Sequence, residues 1–408
     1  NTYNPDDVTV GADGDVQITV QKTFTGRANN AWLESDSFVF TIAAQTDGAP
    51  MPENATVEVT NKDTEVGGVV GAYTDIFGDI TYTKAHLGDA MSKDFVYTIT
   101  ETSPASNGNG ITKDTHTATV TVRVTDDGTG KLKAEVTYDN NDAKTEADQQ
   151  VDNAAAFTNT YDAGSGTLVG STYLKASKTL TGRDWQEGEQ VDIVLRGDKG
   201  TPAPDGASGT DTDRWTYSMH VSQDGSFTFP DIEYTAADLG GEDSVQFTYV
   251  IRELSDTHTI VDGTEADKTQ IKQGMDYALD TYRVVVTVRD AHNGKLDVTA
   301  QMFHVRDHDG DYVTDNATGE LVADNTAAFE NKFDASTESI ELTAKKVYND
   351  PNNGKPMTDD MFSFRVTAVG DEAATAPMGG RVQTDGEGNR YIDASVDAET
   401  KDASFGTA

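Results

Sequence analysis

The feature of this sequence that most restricts its fold is an internal repeat. Five motifs occur twice and in the same order, and three of these pairs carry the residues that could do chemistry. The three pairs are Lys22-Thr-Phe-Thr-Gly-Arg27 with Lys178-Thr-Leu-Thr-Gly-Arg183, Phe95-Val-Tyr-Thr-Ile-Thr-Glu101 with Phe247-Thr-Tyr-Val-Ile-Arg-Glu253, and Asn153-Ala-Ala-Ala-Phe-Thr-Asn159 with Asn325-Thr-Ala-Ala-Phe-Glu-Asn331. The separation grows from 156 residues at the first pair (178 − 22) to 172 at the last (331 − 159), so we expect loop insertions in the second copy, chiefly around Ile260–Met275.

Partial copies extend the repeat at both ends. Ile340, Leu342 and Lys346 repeat the opening strand of the second copy, and Asn1-Thr-Tyr3 resembles Asn159-Thr-Tyr161, the close of the first. The sequence therefore predicts five segments, of which the first is either the end of a preceding module or a featureless tail. They are residues 1–10 as a tail, 11–162 as the first module, 163–167 as a linker, 168–334 as the second module and 338–408 as a truncated third module.

The residue pattern within each copy is that of β-strands. Apolar and polar residues alternate through Thr117–Val124, and turns are indicated at Asp126-Asp127-Gly128 and His292-Asn293-Gly294. Short strands separated by turns, without a long helical period, predict an all-β fold of tandem β-sandwich modules. Short helical turns are expected at Thr83–Leu87 and Thr235–Leu239. The linkers are short, so we expect the modules to form an end-to-end rod.

Composition excludes several kinds of site. The formal net charge of −39 repels phosphate backbones and anionic lipids, so we expect neither nucleic-acid nor membrane binding by these residues. The absence of cysteine excludes disulfides, thiolate metal sites and cysteine nucleophiles. His304 and His308 are spaced like the metal ligands of a helix, but a predicted strand and turn would not aim them at one ion. We expect no metal and no cofactor.

A lysine occupies an apolar face in the opening strand of each copy. Side chains alternate between the two faces of a strand, so Lys22 points the same way as Ile18, Val20 and Phe24. Lys178 lies in the same phase, between Ala176 and Leu180. An unpaired ammonium in a core is very costly, so each lysine needs a partner there. The alternative is an edge strand whose lysine extends along the surface to reach water.

Two further polar residues share apolar faces in each copy. Glu101 is in phase with Phe95, Tyr97 and Ile99, and Asn159 is in phase with Phe157; Glu253 and Asn331 occupy the same positions in the second copy. Burial lowers the pKa of a lysine and raises that of a carboxylic acid, so a neutral amine could attack a carboxamide while a protonated acid assists it. The expected product is an amide between lysine Nζ and asparagine Cγ, with ammonia released. A buried salt bridge without covalent chemistry is the alternative.

These three motifs together resemble the pilin isopeptide-linkage domains of Gram-positive sortase-assembled pili and adhesin stalks. The resemblance covers both full modules and the partial third, and it implies Ig-like sandwiches of the collagen-adhesin-B type. It also implies that Glu101 and Glu253 are the catalytic residues for bonds from Lys22 to Asn159 and from Lys178 to Asn331. The third module offers Lys346 as an incomplete site, because it lacks the glutamate and the asparagine.

Three classes of function are compatible with these predictions, and the third is a hydrolase whose acid pair the sequence does not reveal. The first is a structural stalk or pilus-shaft segment of a cell-surface adhesin, extracellular and anchored to the cell wall of a Gram-positive bacterium, whose partners are neighbouring modules and, through another region, a host surface ligand. The second is an adhesive module that binds a host ligand or glycan through loops such as Asp198–Arg214, which follows the integrin-type tripeptide Arg196-Gly197-Asp198 in a predicted turn. Repetition favours the first class, and we expect no enzymatic activity beyond single-turnover self-crosslinking.

Overall fold

The structure is a computed structural model, and it describes residues 3–14, 16–103, 109–209, 213–254, 271–272, 274–335, 340–349 and 356–407 of the chain. Several predictions therefore lie wholly or partly outside the described residues: those on Asn1 and Thr2, on the insertion around Ile260–Met275, on the loop Asp198–Arg214 and on the segment before Ile340. The chain divides into two compact units, Asn1–Phe333 and Asp334–Ala408.

The first half of the larger unit is a β-sandwich, called here the first module. One of its sheets has the strand order β11-β10-β8-β3-β4 and the other the order β5-β6-β2-β12-β9, while β1 pairs with β7. The strands are β1 Val8–Val10, β2 Thr19–Thr25, β3 Ser37–Ala44, β4 Thr56–Thr60, β5 Thr64–Glu65, β6 Ala72–Ile76, β7 Ile80–Tyr82, β8 Ser92–Glu101, β9 Ile111–Thr112, β10 Thr117–Asp126, β11 Leu132–Asp139 and β12 Ala155–Tyr161; the helices are α1 Lys84–Leu87 and α2 Glu146–Gln149, with a 3₁₀ turn at Ala28–Asn30.

The second half of this unit repeats the design and is called the second module. Its two main sheets have the orders β17-β14-β25-β21-β20 and β16-β15-β19-β22-β23-β24, and β13 pairs with β18. The strands are β13 Ser165–Leu168, β14 Lys175–Thr181, β15 Val191–Asp198, β16 Arg214–Val221, β17 Gly225–Thr228, β18 Ile232–Thr235, β19 Ser244–Leu254, β20 Ile271–Lys272, β21 Met275–Asp276, β22 Thr281–Asp290, β23 Leu296–Arg306, β24 Glu320–Val322 and β25 Thr326–Phe333; helix α3 spans Gly170–Tyr173, and a 3₁₀ turn spans Ala236–Leu239.

The alternation seen in the sequence produces these sandwiches. In β10 the side chains of Ala118, Val120, Val122 and Val124 are fully buried, and the residues between them are not. One face of each sheet thereby contributes to an apolar core between the sheets. The predicted all-β fold of tandem modules is confirmed, and so are the two helical turns, which begin after the capping residues Thr83 and Thr235.

In each module the first and last long strands are neighbours and run parallel. Strand β12 pairs with β2, placing Phe157 opposite Lys22 and Asn159 opposite Phe24. Strand β25 pairs with β14 in the same way, and Asn331 lies opposite Leu180. Parallel strands in one sheet need a long connection between them. Here that connection is nearly the whole module, so the two ends of each module's sequence meet in one sheet.

One local prediction is wrong. The tripeptide Arg196-Gly197-Asp198 lies inside β15 and not in a turn after it, because Arg196 and Gly197 each pair with residues on both neighbouring strands. Gly197 is buried, and a Cβ at this position would lie 2.6 Å from the Trp215 ring. The tripeptide is therefore part of a packed sheet.

The smaller unit has a core of its own. Its strands are β26 Glu341–Lys345, β27 Ser363–Thr367, β28 Gln383–Thr384, β29 Arg390–Ser395 and β30 Asp402–Thr407. Ile392, Val396, Ala403 and Phe405 are buried there, whereas Ile340 is 62% exposed. Across the described parts of both units, no helix is long and apolar enough to cross a membrane.

Candidate functional site

Each predicted lysine lies inside the sandwich core. Lys22 is 0% exposed and Lys178 is 1% exposed, because each belongs to the inward-facing set of its strand. The ammonium of Lys22 also lies 4.9 Å from the centroid of the Phe38 ring. The alternative of an edge lysine that reaches water is thus wrong for both modules.

In the first module, one carboxylate binds both of the other predicted groups. Lys22 Nζ donates to Glu101 Oε2 at 2.7 Å, and Asn159 Nδ2 donates to Glu101 Oε1 at 3.0 Å. Glu101 ends β8 in one sheet, while Lys22 and Asn159 lie on neighbouring strands of the other sheet. The three side chains therefore meet between the two layers.

The second module repeats this arrangement. Lys178 Nζ donates to Glu253 Oε2 at 2.7 Å, and Asn331 Nδ2 donates to Glu253 Oε1 at 2.7 Å. Glu253 and Asn331 are 3% and 2% exposed. All six side chains predicted for the two complete modules are thus brought together, three in each module.

A main-chain donor, which sequence reasoning did not identify, completes each site. The backbone N–H of Asp114 donates to Asn159 Oδ1 at 2.7 Å, and that of Ala278 donates to Asn331 Oδ1 at 2.9 Å. The side chains at these two positions differ, so the repeated element is the backbone and not a residue type. Both Oδ1 and Nδ2 of each asparagine carboxamide are therefore hydrogen-bonded within the core.

In the first module, the side chain of the donor residue Asp114 pairs with His116. Asp114 accepts from the backbone N–H of His116 and of Thr158, and its Oδ1 lies 2.8 Å from His116 Nδ1. Burial acts to raise the pKa of Asp114, but the bonds from His116 and Thr158 outweigh it and hold the pKa at about 2. The ionised carboxylate fixes the turn that presents the Asp114 N–H to Asn159.

Burial shifts the lysines toward their neutral form. Desolvation lowers the pKa of Lys22 to about 8, and the nearby Glu101 carboxylate only partly opposes this shift. Desolvation likewise lowers the pKa of Lys178 against the attraction of Glu253. The neutral form of each lysine amine, next to a carboxyl group and a carboxamide, is thus more populated here than it would be in water.

The repeated Thr-Gly-Arg that follows each lysine holds the end of the closing strand. A Cβ on Gly26 would lie 2.1 Å from the Tyr161 backbone oxygen, and one on Gly182 would lie 1.9 Å from the Phe333 backbone oxygen. Gly26 also has φ +101°, which favours glycine. The Arg27 guanidinium then covers the Tyr161 ring at 4.9 Å. These contacts hold β12 beside β2.

The third predicted lysine has no comparable surroundings. Lys346 lies just beyond β26 and is only partly buried, with Nζ 4.3 Å from the Phe362 ring centroid. Among the described residues, no carboxylate lies within ion-pair distance of Lys346 Nζ. Ile340 and Leu342, which repeat the opening strand together with Lys346, are 62% and 39% exposed and so do not line a closed core.

A family model described as "FctA: Spy0128-like isopeptide containing domain" matches the chain twice, at residues 18–162 and 174–334. The two matches together cover well over half of the chain. The chain belongs to this family. The resemblance to pilin isopeptide-linkage domains is thereby confirmed, and FctA membership supports the predicted structural role as a pilus-shaft segment. No curated protein matches the chain at a significant level.

Solved structures of pilins resemble the chain at low identity. The major pilin from Streptococcus pyogenes is 18% identical over 78% of this chain and 98% of that one, with a TM-score of 0.27. The major pilin protein T3.2 from Streptococcus pyogenes is 15% identical over 82% and 100%, with a TM-score of 0.24. The shaft pilin spaA from Lactobacillus rhamnosus GG is 12% identical over 82% and 100%, with a TM-score of 0.13. The family assignment rests on the FctA match and not on these values.

Proposed function

We propose that this chain is a load-bearing segment of a Gram-positive pilus shaft or surface stalk, and that each complete module is locked by its own isopeptide bond. The bonds join Lys22 to Asn159 and Lys178 to Asn331. One observation carries the proposal: in both modules a single buried carboxylate binds the lysine ammonium and the asparagine carboxamide together.

The chemistry can be followed atom by atom in the first module. Lys22 Nζ passes one proton along its 2.7 Å bond to Glu101 Oε2, and the neutral amine attacks Asn159 Cγ. As the new C–N bond forms, the attacking nitrogen loses a second proton, which reaches the departing nitrogen and converts the released ammonia into ammonium. Glu101 delivers its proton to Asn159 Nδ2, which departs as ammonia when the old C–N bond breaks. The products are one amide and one ammonium ion, and Glu101 returns to its carboxylate form.

Three features of the site favour this reaction. Negative charge develops on Asn159 Oδ1 during the attack, and the Asp114 N–H already donates to that atom. The reacting groups are fixed by neighbouring strands, which supplies a large effective concentration. A cleft of about 260 Å³ borders Glu101 and Asn159 and is also lined by Lys113 and His292, and it gives ammonia a route to solvent. Because the lysine and the asparagine are consumed, each site reacts once.

The bond positions suit a mechanical role. The chain enters the first module's sheet through β2 and leaves it through β12, which is its direct neighbour. A covalent bond between these strands would carry tension across the module, so the 138 residues from Lys22 to Asn159 (159 − 22 + 1) would bear little of it. The second module would protect 154 residues (331 − 178 + 1) in the same way.

This role places the protein outside the cell, anchored to the wall, with other modules of the same kind as its partners. It also explains how a chain without cysteine could be durable there, because the isopeptide bonds would replace disulfides. The adhesive alternative stays a prediction, because the loop on which it rests, Asp198–Arg214, lies partly outside the described residues. The Arg196-Gly197-Asp198 tripeptide at its start belongs to strand β15.

Intact-mass measurement tests the proposal. The purified chain is expected to be lighter than its sequence by two ammonia molecules. Glu101→Ala should restore one ammonia, and Glu101→Ala with Glu253→Ala should restore both. Glu330→Ala is the matched control, because Glu330 is exposed and adjoins Asn331 on the same strand, and it should change nothing beyond its own mass. An unmodified mass for the natural chain would leave only buried salt bridges, and losses that persist in the double variant would exclude the two glutamates as catalysts.

A further inference from the structure

A tyrosine and an aspartate join the two modules. Tyr161, the last residue of β12, donates its hydroxyl to Asp290 Oδ1 at 2.6 Å, and Asp290 is the last residue of β22 in the second module. The backbone N–H of Gly294 donates to the Tyr161 hydroxyl at 3.3 Å. Tyr161 and Asp290 are 5% and 4% exposed. This is a buried, charge-assisted hydrogen bond across the junction.

The same contact occurs at the other end of the first module. Tyr3 donates its hydroxyl to Asp126 Oδ1 at 2.8 Å, and Asp126 ends β10, the strand that corresponds to β22. Each aspartate also accepts the backbone N–H two residues later, from Gly128 at 3.1 Å and from His292 at 2.7 Å. The two hairpins therefore present their carboxylates in the same manner.

The segments that follow Tyr3 and Tyr161 pair with corresponding strands in the same register. Val10 pairs with Ile80 of β7, and Leu168 pairs with Ile232 of β18. Each of these residues lies seven positions after its tyrosine (10 − 3 and 168 − 161). Residues 3–10 are thus the structural counterpart of residues 161–168, the segment that leads out of a closing strand into the next module.

The two junctions differ in what covers the tyrosine. Arg27 lies over the Tyr161 ring, whereas the residue Tyr3 is 52% exposed. A second difference lies at corresponding glycines of the two hairpins. A Cβ on Gly294 would lie 2.6 Å from the Gly110 backbone nitrogen of the first module, while one on Gly130 would have no atom of the described residues within 4 Å. The first module thus has Asp126 where the second module has Asp290. The space over Gly130 is open, whereas the first module covers the corresponding Gly294.

We infer that the Tyr3 ring and the hairpin carrying Asp126 and Gly130 form a docking surface for another module of the FctA kind. The partner's Gly-Arg turn would cover Tyr3 as Arg27 covers Tyr161, and its loop backbone would fill the space over Gly130 as Gly110 fills that over Gly294. This inference rests on the proposed function, because it supplies the joint by which serial modules align.

A lengthened chain tests the inference. A second copy of residues 11–158 is fused ahead of Asn1, so that Asn1-Thr-Tyr3 continues the copied β12 as Asn159-Thr-Tyr161 does. The chain has no cysteine, so spin labels can be attached at two introduced cysteines, Lys62→Cys in the copy and Glu135→Cys in the natural first module. Both sites are exposed. The distance distribution between the labels should have one narrow peak.

Paired variants identify the contact. Tyr3→Phe with Asp126→Asn should broaden the distribution, and Tyr217→Phe, which changes a tyrosine away from the junction, should not. A broad distribution in the fused chain, or a narrow one that the paired variants leave unchanged, would overturn the inference. Ammonia loss is measured on the same samples. Ammonia loss together with a broad distance distribution would contradict the docking surface alone. A narrow distance peak without ammonia loss would contradict the isopeptide bonds alone.

Discussion

Lys22 and Asn159 lie diagonally across two neighbouring parallel strands, because Asn159 is opposite Phe24 and Lys22 is opposite Phe157. Lys178 and Asn331 have the same diagonal relationship in the second module. A slip of one residue would turn the asparagine to the outer face of its sheet. The register of the closing strand therefore decides whether lysine and asparagine can meet at Glu101 or Glu253.

Single-molecule pulling should show whether the proposed bonds carry load. In the natural chain the two modules should give no unfolding step before covalent rupture. Lys22→Met removes one bond while keeping a side chain of similar length, so one step should appear. Its contour gain should approach that of 138 residues at about 3.5 Å each. Lys62→Met, at an exposed lysine, should add no step. An unfolding step from either complete module of the natural chain would contradict the mechanical role.

The pH dependence of unfolding should reveal the buried amine when the bond cannot form. Burial lowers the pKa of Lys22 in the folded chain to about 8 from its ordinary value of 10.5, and an Asn159→Ala substitution keeps this amine free to titrate. Between these values the unfolded state binds more protons, so stability should rise with pH, by on the order of 3 kcal/mol in total.

The double variant Lys22→Met with Asn159→Ala is the reference for this experiment, because it retains all the other titrating groups. Subtracting its denaturant-derived unfolding profile from that of Asn159→Ala gives the contribution of Lys22 together with its ion pair to Glu101. Parallel profiles for the two variants would mean that the amine does not lose its proton on folding.

Gly26→Ala should weaken the first module. The new methyl group would meet the Tyr161 backbone oxygen, and φ +101° would be strained for alanine, at a cost of roughly 1–3 kcal/mol from the backbone alone. Gly48→Ala is the control, since Gly48 also has positive φ but, in the part of the chain that the structure describes, no atom lies within 4 Å of the added carbon. Thermal unfolding should separate the two variants, and Gly26→Ala should also slow ammonia loss because β12 is displaced. Equal melting temperatures would argue against the role given to the Thr-Gly-Arg turn.

Limited trypsin digestion should cut first in residues 338–408. Lys345 is exposed at the end of β26, and the core of the smaller unit is small. Lys22 and Lys178 are buried and should be cut last, if at all. Mass spectrometry of the surviving fragment gives the order of cleavage. A first cut inside either complete module, with the smaller unit intact, would reverse this ranking.

The sequence was sufficient to find the side chains of the sites but not their main-chain partners. Lys22, Glu101 and Asn159 could be predicted because each interrupts an apolar face, and strand periodicity makes such interruptions visible. The N–H of Asp114 could not, because every residue carries that group and Ala278 fills the same role. The Tyr161–Asp290 contact was also out of reach, since the repeat shows both residues twice but not which surfaces meet. The integrin-type tripeptide was misplaced because short-range pattern cannot fix where β15 ends.

Glu101 belongs to one sheet, and Lys22 and Asn159 belong to the other, so the three meet only after the sandwich has closed. A bond made there would outlast the structure that made it, because unfolding does not restore the lost ammonia. The mass of a denatured chain would then show whether the chain had folded before. Each missing ammonia would mean that one module had reached its native state at least once. A culture sampled over time could be sorted into chains that have never folded and chains that have, even when both are unfolded at the moment of measurement.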